Sequence, residues 1–379
     1  MEFVALLLVI ITVIKLQQYL YRKYTYSQFE YRCFLNTPEV VEQDEVELIE
    51  EISNRKWLPI PWLKSEITTS KWLDFAGAQS VVTDKTRFVP SFFMLKSYQK
   101  IQRSWKVTCL KRGEFQIQKV VLVSTDLLGS LNLSQPVEVK SEILVLPKAL
   151  DLENDFFSPK YLSGDVIVRR RLLQDPFWIA GVQEYTQREP MNRIHWAASV
   201  KEQRLMVYEN ESTSQQSLSV ILNMQSKEFE TNEVGRVDEI ETAIRVCAAI
   251  FENTLQQQIP VRLFVNGKTG QGSDSVVSGE YWGEQHILDL KRILARLQLV
   301  STYDFPTYLN ELDNVLTASD IVLVTAYLNQ DIYQFVRNQK RKGTFVKIFV
   351  TGLINSADVA EDCEVFCLPN YFEDNSKEG

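Results

Sequence analysis

The segment from Gly181 to Val207 gathers the side chains in this chain that most readily do chemistry. Its candidate residues are Gly181, Glu184, Tyr185, Arg193, His195 and Trp196. A guanidinium can hold an anion, and a histidine changes charge near neutral pH. One interpretation is therefore an enzyme with a site near Arg193, His195 and Trp196. The other is a structural clamp, in which Trp196 is buried and Arg193 pairs with a carboxylate or caps carbonyl groups.

Motifs for covalent catalysis are missing from the sequence. No Ser or Cys stands in a local pattern such as G-x-S-x-G, and the chain has two histidines, His195 and His286. A triad assembled from distant residues stays open, because such triads are recognised by geometry. The sequence favours a protein that is not an enzyme, with no catalytic residues and no cofactor.

A second candidate site lies at the tip of a predicted strand, at Asn223-Met224-Gln225-Ser226-Lys227. A metal-ion-dependent adhesion site needs D-x-S-x-S here, because a carboxylate and two hydroxyls offer hard oxygens to a divalent cation. Asn223 and Gln225 offer amides instead, and Lys227 would repel the ion. These three residues mark a degenerate metal position, and we expect no bound metal. A divalent-metal-dependent ligand-binding module is the alternative.

The tripeptide Gly267-Lys268-Thr269 suggests a phosphate loop, but the required upstream glycine is replaced by Arg262. We expect a surface loop from Gly267 to Glu280. The net charge of −8 argues against nucleic-acid binding, which needs clustered basic residues.

Two patterns along the chain predict the elements that would position these residues. Residues 22–150 contain short, partly alternating apolar segments separated by turn residues, which is typical of an antiparallel β-sandwich. Residues 217–370 alternate apolar runs with amphipathic helices, and the helix with apolar residues from Val237 to Leu255 is the clearest. Strands are predicted at Leu218–Asn223, Val261–Val265, Asp320–Thr325, Phe345–Val350 and Glu364–Leu368. This alternation predicts a doubly wound parallel sheet, with ligands at the carboxyl ends of its strands.

Residues 151–216 form a connecting segment in this scheme, and residues 371–379 form a C-terminal tail. Within the connection, Gly181–Tyr185 is expected to be a strand and Met191–Val200 a short helix. A strand at Leu205–Tyr208 could then pair antiparallel on the edge of the parallel sheet.

Residues 1–21 are predicted to be a membrane anchor helix. The first 14 residues contain one charged side chain, Glu2, and an extension through Tyr21 reaches ~31 Å, about the thickness of the hydrocarbon core. Arg22 and Lys23 follow, so the positive-inside rule places the main body in the cytoplasm, at the cell membrane. The alternative is an amphipathic or buried N-terminal helix.

The Gly181–Val207 segment resembles domain-of-unknown-function family 58, whose members are associated with MoxR-type AAA+ ATPases. The family pattern runs G-x-R-E-Y, then G-D-x-x-R-x-I-D-W-x-A-x-A-R, then L-x-V. Matching positions are Gly181, Glu184, Tyr185, Arg193, Ile194, Trp196, Ala198, Leu205 and Val207. Three upstream turns also match, at Arg112-Gly113, Asp126-Leu127-Leu128-Gly129 and Val145-Leu146-Pro147. In this chain Gln183 replaces the family's arginine, Gln187–Pro190 replaces its G-D turn, and His195 replaces its acidic residue.

The resemblance implies a β-sandwich followed by a von Willebrand factor A-like α/β domain, spanning residues 217–370. It also implies a membrane-anchored, non-catalytic accessory or scaffold protein that binds protein partners, with a MoxR-type AAA+ ATPase as the implied partner. In that scheme, the Gly181–Val207 residues bind a partner or hold the structure together.

Overall fold

The computed structural model describes residues 2–152, 173–185, 191, 194–213, 217–230, 232–270, 275–301, 303–313, 315–316, 319–353 and 363–368. The chain divides into two compact units. Unit 1 comprises Met1–Lys148 and Lys291–Leu297, and unit 2 comprises Ala149–Leu290 and Gln298–Gly379.

Unit 1 begins with a long helix and continues in strands. The elements are α1 (Glu2–Tyr24), β1 (Phe29–Leu35), β2 (Glu39–Val41), β3 (Glu45–Asn54), β4 (Ile60–Ser70), β5 (Leu73–Phe75), β6 (Val81–Val82), β7 (Thr86–Leu95), β8 (Lys100–Cys109), β9 (Gly113–Ile117), β10 (Lys119–Thr125), β11 (Asn132–Val137) and β12 (Ser141–Leu146). They form sheets in the orders β1-β3-β8-β5, β11-β10-β4-β7-β6 and β2-β12-β9. Most neighbouring strands pair antiparallel, and many of these partners, such as β3 and β8 or β4 and β7, are not consecutive in the chain.

Alternating side chains build the core of unit 1. In β3, Val46, Leu48 and Ile52 are buried while Glu47 faces solvent, as a period of two requires. These residues join one apolar cluster with residues of β4, β7, β8 and β10. Burying each such side chain contributes about 1.5–3 kcal/mol, which makes this cluster the main source of stability for the sandwich.

A carboxylate lies inside that apolar core. Glu50 is fully buried, and Oε1 accepts hydrogen bonds from Tyr31 Oη at 2.8 Å and Ser65 Oγ at 2.9 Å. Its Oε2 accepts from Ser91 Oγ at 2.9 Å and Trp105 Nε1 at 2.7 Å. Burial also raises the pKa of the Tyr31 phenol, so this hydroxyl remains a donor. Four neutral donors from four strands thus replace the water that the carboxylate gives up.

Helix α1 is long and apolar enough, from Phe3 to Tyr24, to cross a membrane. That finding rests on length and composition, and a signal sequence passes the same test. The first part of the helix is exposed, with Phe3 85% accessible, whereas Tyr21 is buried against the sandwich.

Unit 2 contains the remaining elements, with the end of one helix assigned to unit 1. They are β13 (Leu173–Glu184), α2 (Trp196–Glu202), β14 (Met206–Thr213), β15 (Leu218–Leu222), β16 (Asn232–Glu233), α3 (Val237–Gln256), β17 (Val261–Val265), β18 (Gly267–Thr269), β19 (Val276–Val277), α4 (Glu284–Arg296), β20 (Leu297–Ser301), α5 (Phe305–Leu312), β21 (Asp320–Thr325), α6 (Gln330–Arg341), β22 (Val346–Val350) and β23 (Glu364–Cys367). Their sheets have the orders β13-β14, β19-β17-β15-β21-β22-β23 and β16-β20-β18.

The six-stranded sheet is mixed. Strands β17, β15, β21, β22 and β23 pair in parallel, and β19 pairs antiparallel at the edge. Every residue of β15 and β22 is buried, and all but Ser219 and Lys347 are apolar, as expected for strands covered on both faces. Helix α3 turns Ile240, Ile244 and Phe251 into the core, at the helical spacing that the sequence shows.

The predicted fold class is wrong for the chain. We expected a membrane helix, an antiparallel sandwich and a doubly wound parallel-sheet von Willebrand factor A-like domain. The described chain is instead rich in strands that lie in several mostly antiparallel sheets, and a doubly wound von Willebrand factor A-like domain is not shown.

The fold-class prediction missed several short strands, because hydrophobic periodicity does not reveal strands of two or three residues. The stretch expected to be a loop from Gly267 to Glu280 contributes β18 and the antiparallel edge strand β19. A further short strand, β16, pairs antiparallel with β20. Two- and three-residue strands are too short to show a period, and only their pairing with other strands defines them.

We expect Glu50→Gln to destabilise unit 1. The Gln amide cannot accept from the donors that face one of the two carboxylate oxygens, so at least one buried donor loses its acceptor. The expected loss in free energy of unfolding is about 2–3 kcal/mol, measured by chemical denaturation in detergent. Glu47→Gln, on the exposed face of the same strand, is the control and should change stability by less than ~0.5 kcal/mol. Equal effects of the two substitutions would contradict the role assigned to Glu50.

The buried Lys56 side chain should make the stability of unit 1 depend on pH. Lys56 is buried, and within the described part of the chain Nζ has no hydrogen-bond partner. Burial lowers the pKa of Lys56 to about 8. The unfolded chain, with a lysine pKa of ~10.4, therefore binds more protons between these values, and stability should rise as pH increases from about 8 to about 10.

Lys56→Met should flatten that rise and raise the free energy of unfolding at pH 7 by about 1–3 kcal/mol. Lys96→Met, at an exposed position of the loop between β7 and β8, should leave both the slope and the stability unchanged. A persistent rise in the Lys56→Met protein would show that another group titrates.

Candidate functional site

Polar residues converge where several strands of the six-stranded sheet end, an edge that we call the carboxyl edge. Asn223 follows β15, Asn266 follows β17, and Thr325 is the last residue of β21. The chain passes from β15 to β17 on one side and later to β21 on the other. Parallel sheets bind ligands outside the strand ends at such a reversal of strand order, so this edge is the place to look for function.

Asn223 joins the neighbouring strand ends. It is fully buried, and Nδ2 donates to Thr325 Oγ1 at 3.0 Å. Its Oδ1 accepts from the Gln225 backbone N–H at 3.0 Å and from Asn266 Nδ2 at 3.2 Å. Asn266 Oδ1 in turn accepts from the backbone N–H of Met224 at 2.7 Å. The amides of Asn223 and Asn266 thereby cross-link the ends of three strands.

Gln225 extends this network toward two loops. Its Nε2 donates to the backbone carbonyl of Glu230 at 2.7 Å. Its Oε1 accepts from the Phe305 N–H at 3.1 Å and from Tyr327 Oη at 2.9 Å. Burial raises the pKa of Tyr327 to about 12, so the phenol stays protonated and can donate.

Glu230 closes the loop that follows β15, and we call the hydrogen bonds of its carboxylate to Ser226 and Gly235 the Glu230 clamp. Its carboxylate accepts from the Ser226 N–H at 2.6 Å, from Ser226 Oγ at 2.8 Å and from the Gly235 N–H at 2.8 Å. Ser226 Oγ also accepts from the Arg236 N–H at 3.0 Å. A Cβ at Gly235 would lie 2.9 Å from Glu230 Oε1, so a side chain there would disturb the clamp.

At the degenerate metal position, the side-chain oxygens are therefore engaged in hydrogen bonds within the protein. The side-chain carbonyls of Asn223 and Gln225 accept protein hydrogen bonds, while Lys227 is exposed. No group of three or more His, Cys, Asp or Glu able to hold a metal occurs among the described residues. The expectation of no bound metal stays a prediction, and these hydrogen bonds supply a physical reason for it.

The clamped loop presents an aromatic side chain to solvent. Phe229 is 81% exposed and has a φ of +59°, a left-handed conformation that costs a residue with a Cβ about 1–2 kcal/mol. Beside it, Lys227 and Glu228 are exposed, and Glu228 Oε1 accepts from Asn329 Nδ2 at 3.0 Å. Leu353, three residues after β22, is 74% exposed at the same edge. We call Lys227, Glu228, Phe229 and Leu353 the Phe229 surface.

The Gly181–Val207 candidates lie on a hairpin. Gly181 pairs with Glu209 between β13 and β14, and Glu184 Oε2 lies 3.1 Å from Arg204 Nη1. The Tyr185 N–H donates to the Leu205 carbonyl at 2.8 Å. Strand β14 pairs with β13 rather than with the parallel sheet, because a partner close in sequence is available.

His195 has a local structural role. Its Nδ1 accepts from the Ala198 N–H at 3.1 Å and caps α2, and its ring lies 4.5 Å from the Tyr208 ring. Trp196 is 65% exposed rather than buried. Arg193 lies outside the described residues. The structure thus describes His195 and Trp196 of the proposed enzyme site but not Arg193.

Sequence reasoning missed three residues of the carboxyl edge. Asn266 directly follows a predicted strand, so its position could have drawn attention to it. Glu230 and Phe229 lie in a loop that carries no recognisable motif. Nothing in the sequence indicates the hydrogen bonds of Glu230 or the left-handed backbone of Phe229.

No family model matches this chain, and no curated protein matches it. Among solved structures, a non-cellulosomal cohesin from Archaeoglobus fulgidus is 10% identical, with a TM-score of 0.21, covering 34% of this chain and 96% of that one. The Coh-OlpA-Doc918 cohesin–dockerin complex from Clostridium thermocellum is 11% identical, with a TM-score of 0.22, covering 31% and 99%. The major pilin SpaD from Corynebacterium diphtheriae is 10% identical, with a TM-score of 0.22, covering 28% and 34%. At these TM-scores the likeness carries no argument about function.

Glu230→Gln tests the loop clamp. The Gln amide group would face N–H or hydroxyl donors that need an acceptor, and we expect the free energy of unfolding to fall by about 1–3 kcal/mol. Chemical denaturation measures the change, with Glu233→Gln at an exposed nearby position as the control. A Glu230→Gln protein as stable as the control would show that the clamp does not hold this loop.

Proposed function

We propose that this chain is a membrane-anchored, non-catalytic accessory protein that binds a protein partner through the Phe229 surface. The observation that supports it most directly is the exposed, left-handed Phe229 beside the Glu230 clamp. Exposing a large aromatic side chain in an unfavourable backbone conformation destabilises the free protein. A binding role accounts for that cost, because strained loop residues concentrate at functional sites.

The clamp prepares Phe229 for binding. Three donor groups of Ser226 and Gly235 hold the Glu230 carboxylate, and the Gln225 side chain holds the Glu230 carbonyl. A loop ordered before binding loses little conformational entropy when the partner arrives. A rigid aromatic anchor is the type of residue that dominates the energy of protein interfaces.

The composition of the Phe229 surface supports a protein partner over a small molecule. Phe229 and Leu353 supply apolar area, while Lys227 and Glu228 supply charges of both signs. Protein interfaces combine apolar area with polar and charged groups. Beneath it the amides of Asn223 and Gln225 bond to other protein groups, so the strand ends offer a rigid base.

The partner and the location come from the sequence. The resemblance to domain-of-unknown-function family 58 makes a MoxR-type AAA+ ATPase the proposed partner. Helix α1 is the proposed anchor, and the basic residues Arg22 and Lys23 after its apolar part favour a cytoplasmic main body at the cell membrane.

The alternative functions lack a specific supporting observation. A divalent-metal module would need the Asn223 and Gln225 oxygens, which accept hydrogen bonds from the protein. An enzyme near Arg193, His195 and Trp196 would use a histidine whose Nδ1 already caps α2.

Phe229→Asn is the sharpest test of the proposed surface. Asparagine tolerates the left-handed conformation, so the fold should keep or gain stability while the aromatic anchor is lost. We expect Kd for a purified MoxR-type ATPase from the same organism to rise at least tenfold, measured with the full chain in nanodiscs.

Val315→Ala is the matched control, because Val315 is an exposed apolar residue that precedes β21 and so lies away from its carboxyl end. It should leave Kd unchanged. Absence of binding by the parental protein would reject this partner, and equal Kd values for the parental and Phe229→Asn proteins would reject this surface.

A further inference from the structure

We propose that unit 1 contacts the lipid bilayer through the end of the sandwich from which α1 emerges, with the Leu127-Leu128 turn inserted at the interface. We call Trp57, Trp62, Tyr98, Leu127 and Leu128 the membrane end. This inference rests on the proposed anchoring by α1 and adds a second membrane contact, made by the sandwich itself.

The length of α1 that is free to enter lipid is short. Gln17 Nε2 donates to Asp126 Oδ2 at 3.3 Å, and Gln18 Nε2 donates to Ser130 Oγ at 3.0 Å. Tyr21 is buried and its Oη donates to the Pro59 carbonyl at 3.1 Å. Helix residues from Gln17 onward therefore belong to the sandwich, and the 14 residues from Phe3 to Leu16 reach ~21 Å.

That reach falls short of a hydrocarbon core of ~30 Å. A short span is accommodated when the bilayer thins or when flanking groups move into the interface. Helix α1 contacts the sandwich at Gln17 and Gln18, immediately after its apolar part. Thinning of the bilayer or movement of flanking groups into the interface therefore brings the adjoining loops to the headgroup region.

Strand register places these loops at one end of the sandwich. At that end Phe29 pairs with Asn54, Ser53 pairs with Lys100, and Ile60 pairs with Leu95. Trp62 pairs with Thr125, the residue before the turn that α1 contacts. The Asn54 side chain donates to the Leu58 and Lys96 carbonyls, which joins the loop of Trp57 to the loop of Tyr98.

The side chains at this end suit a membrane interface. All five residues of the membrane end are more than half exposed, with Tyr98 at 71%. Trp and Tyr prefer the headgroup level, where the ring lies in apolar surroundings and the polar atom stays hydrated. The neighbouring Lys96 is exposed and can meet lipid phosphate.

The Leu127-Leu128 turn is built to project. Asp126 is buried, and its Oδ1 accepts from the Ser130 N–H at 2.6 Å and the Leu131 N–H at 3.0 Å. Gly129 completes the turn with a φ of +67°. The two leucines stand at the tip of this turn, about 60% exposed, beside the helix that enters the membrane.

Depth measurement by spin labelling tests the inference on the full chain in vesicles of phosphatidylcholine and phosphatidylglycerol. A nitroxide is attached to Leu128→Cys and, as a matched control, to Leu110→Cys, an exposed leucine just beyond the opposite end of β8. Both variants carry Cys363→Ser and Cys367→Ser, because the other cysteines are buried. We expect the label at 128 to collide more with oxygen than with a water-soluble nickel chelate, and the label at 110 to show the reverse.

A third label at Val9→Cys separates the possible failures. If Val9 is lipid-embedded but the label at 128 is as aqueous as the label at 110, the second contact is wrong and the anchor stands. If the label at Val9 is also aqueous, both the anchoring by α1 and this inference are wrong.

Discussion

Polar groups that are buried in a fold need hydrogen-bond partners. At the carboxyl edge of unit 2, the Asn223 amide bonds to Thr325 and Asn266 and so meets that need. Asn223 and Asn266 tie together the ends of β15, β17 and β21, and Gln225 carries the same network to Glu230, Phe305 and Tyr327. Because every link uses a neutral amide or a carboxylate that already accepts hydrogen bonds, the strand ends become a rigid base. The conformation of the loop that carries Phe229 depends on this base.

Unit 1 also buries a polar group, the Glu50 carboxylate, and supplies it with hydrogen-bond partners. The Glu50 carboxylate lies between the strands of the sandwich and receives donors from Tyr31, Ser65, Ser91 and Trp105. Each donor belongs to another strand, so the charge can be buried only when those strands are in register. The network therefore adds to the specificity of strand pairing that the alternating apolar side chains already provide.

The two proposed contact surfaces differ in how they are built. The Phe229 surface depends on a strained backbone fixed by buried hydrogen bonds, as suits a partner that must be recognised specifically. The membrane end depends on exposed Trp, Tyr and Leu side chains around a helix. Such a surface suits a fluid apolar partner, because lipid adapts to the protein.

The sequence alone determined the features that follow from short-range periodicity. The apolar N-terminal helix, the alternation of β3, the stripe of α3 and the apolar runs that became β15, β17, β21 and β22 were all visible, because side-chain period reports which face is buried. The residues Asn223 and Gln225 were found as well, since they follow a predicted strand.

Only the tertiary structure decided how the strands pair and what the candidate residues contact. Strands β18 and β19 are too short for periodicity, so the antiparallel edge of the six-stranded sheet, which the predicted fold class lacked, was defined only by strand pairing. The same holds for the Glu230 clamp, the left-handed Phe229 and the capping role of His195. These depend on hydrogen-bond geometry and backbone dihedrals, which residue type and spacing do not specify.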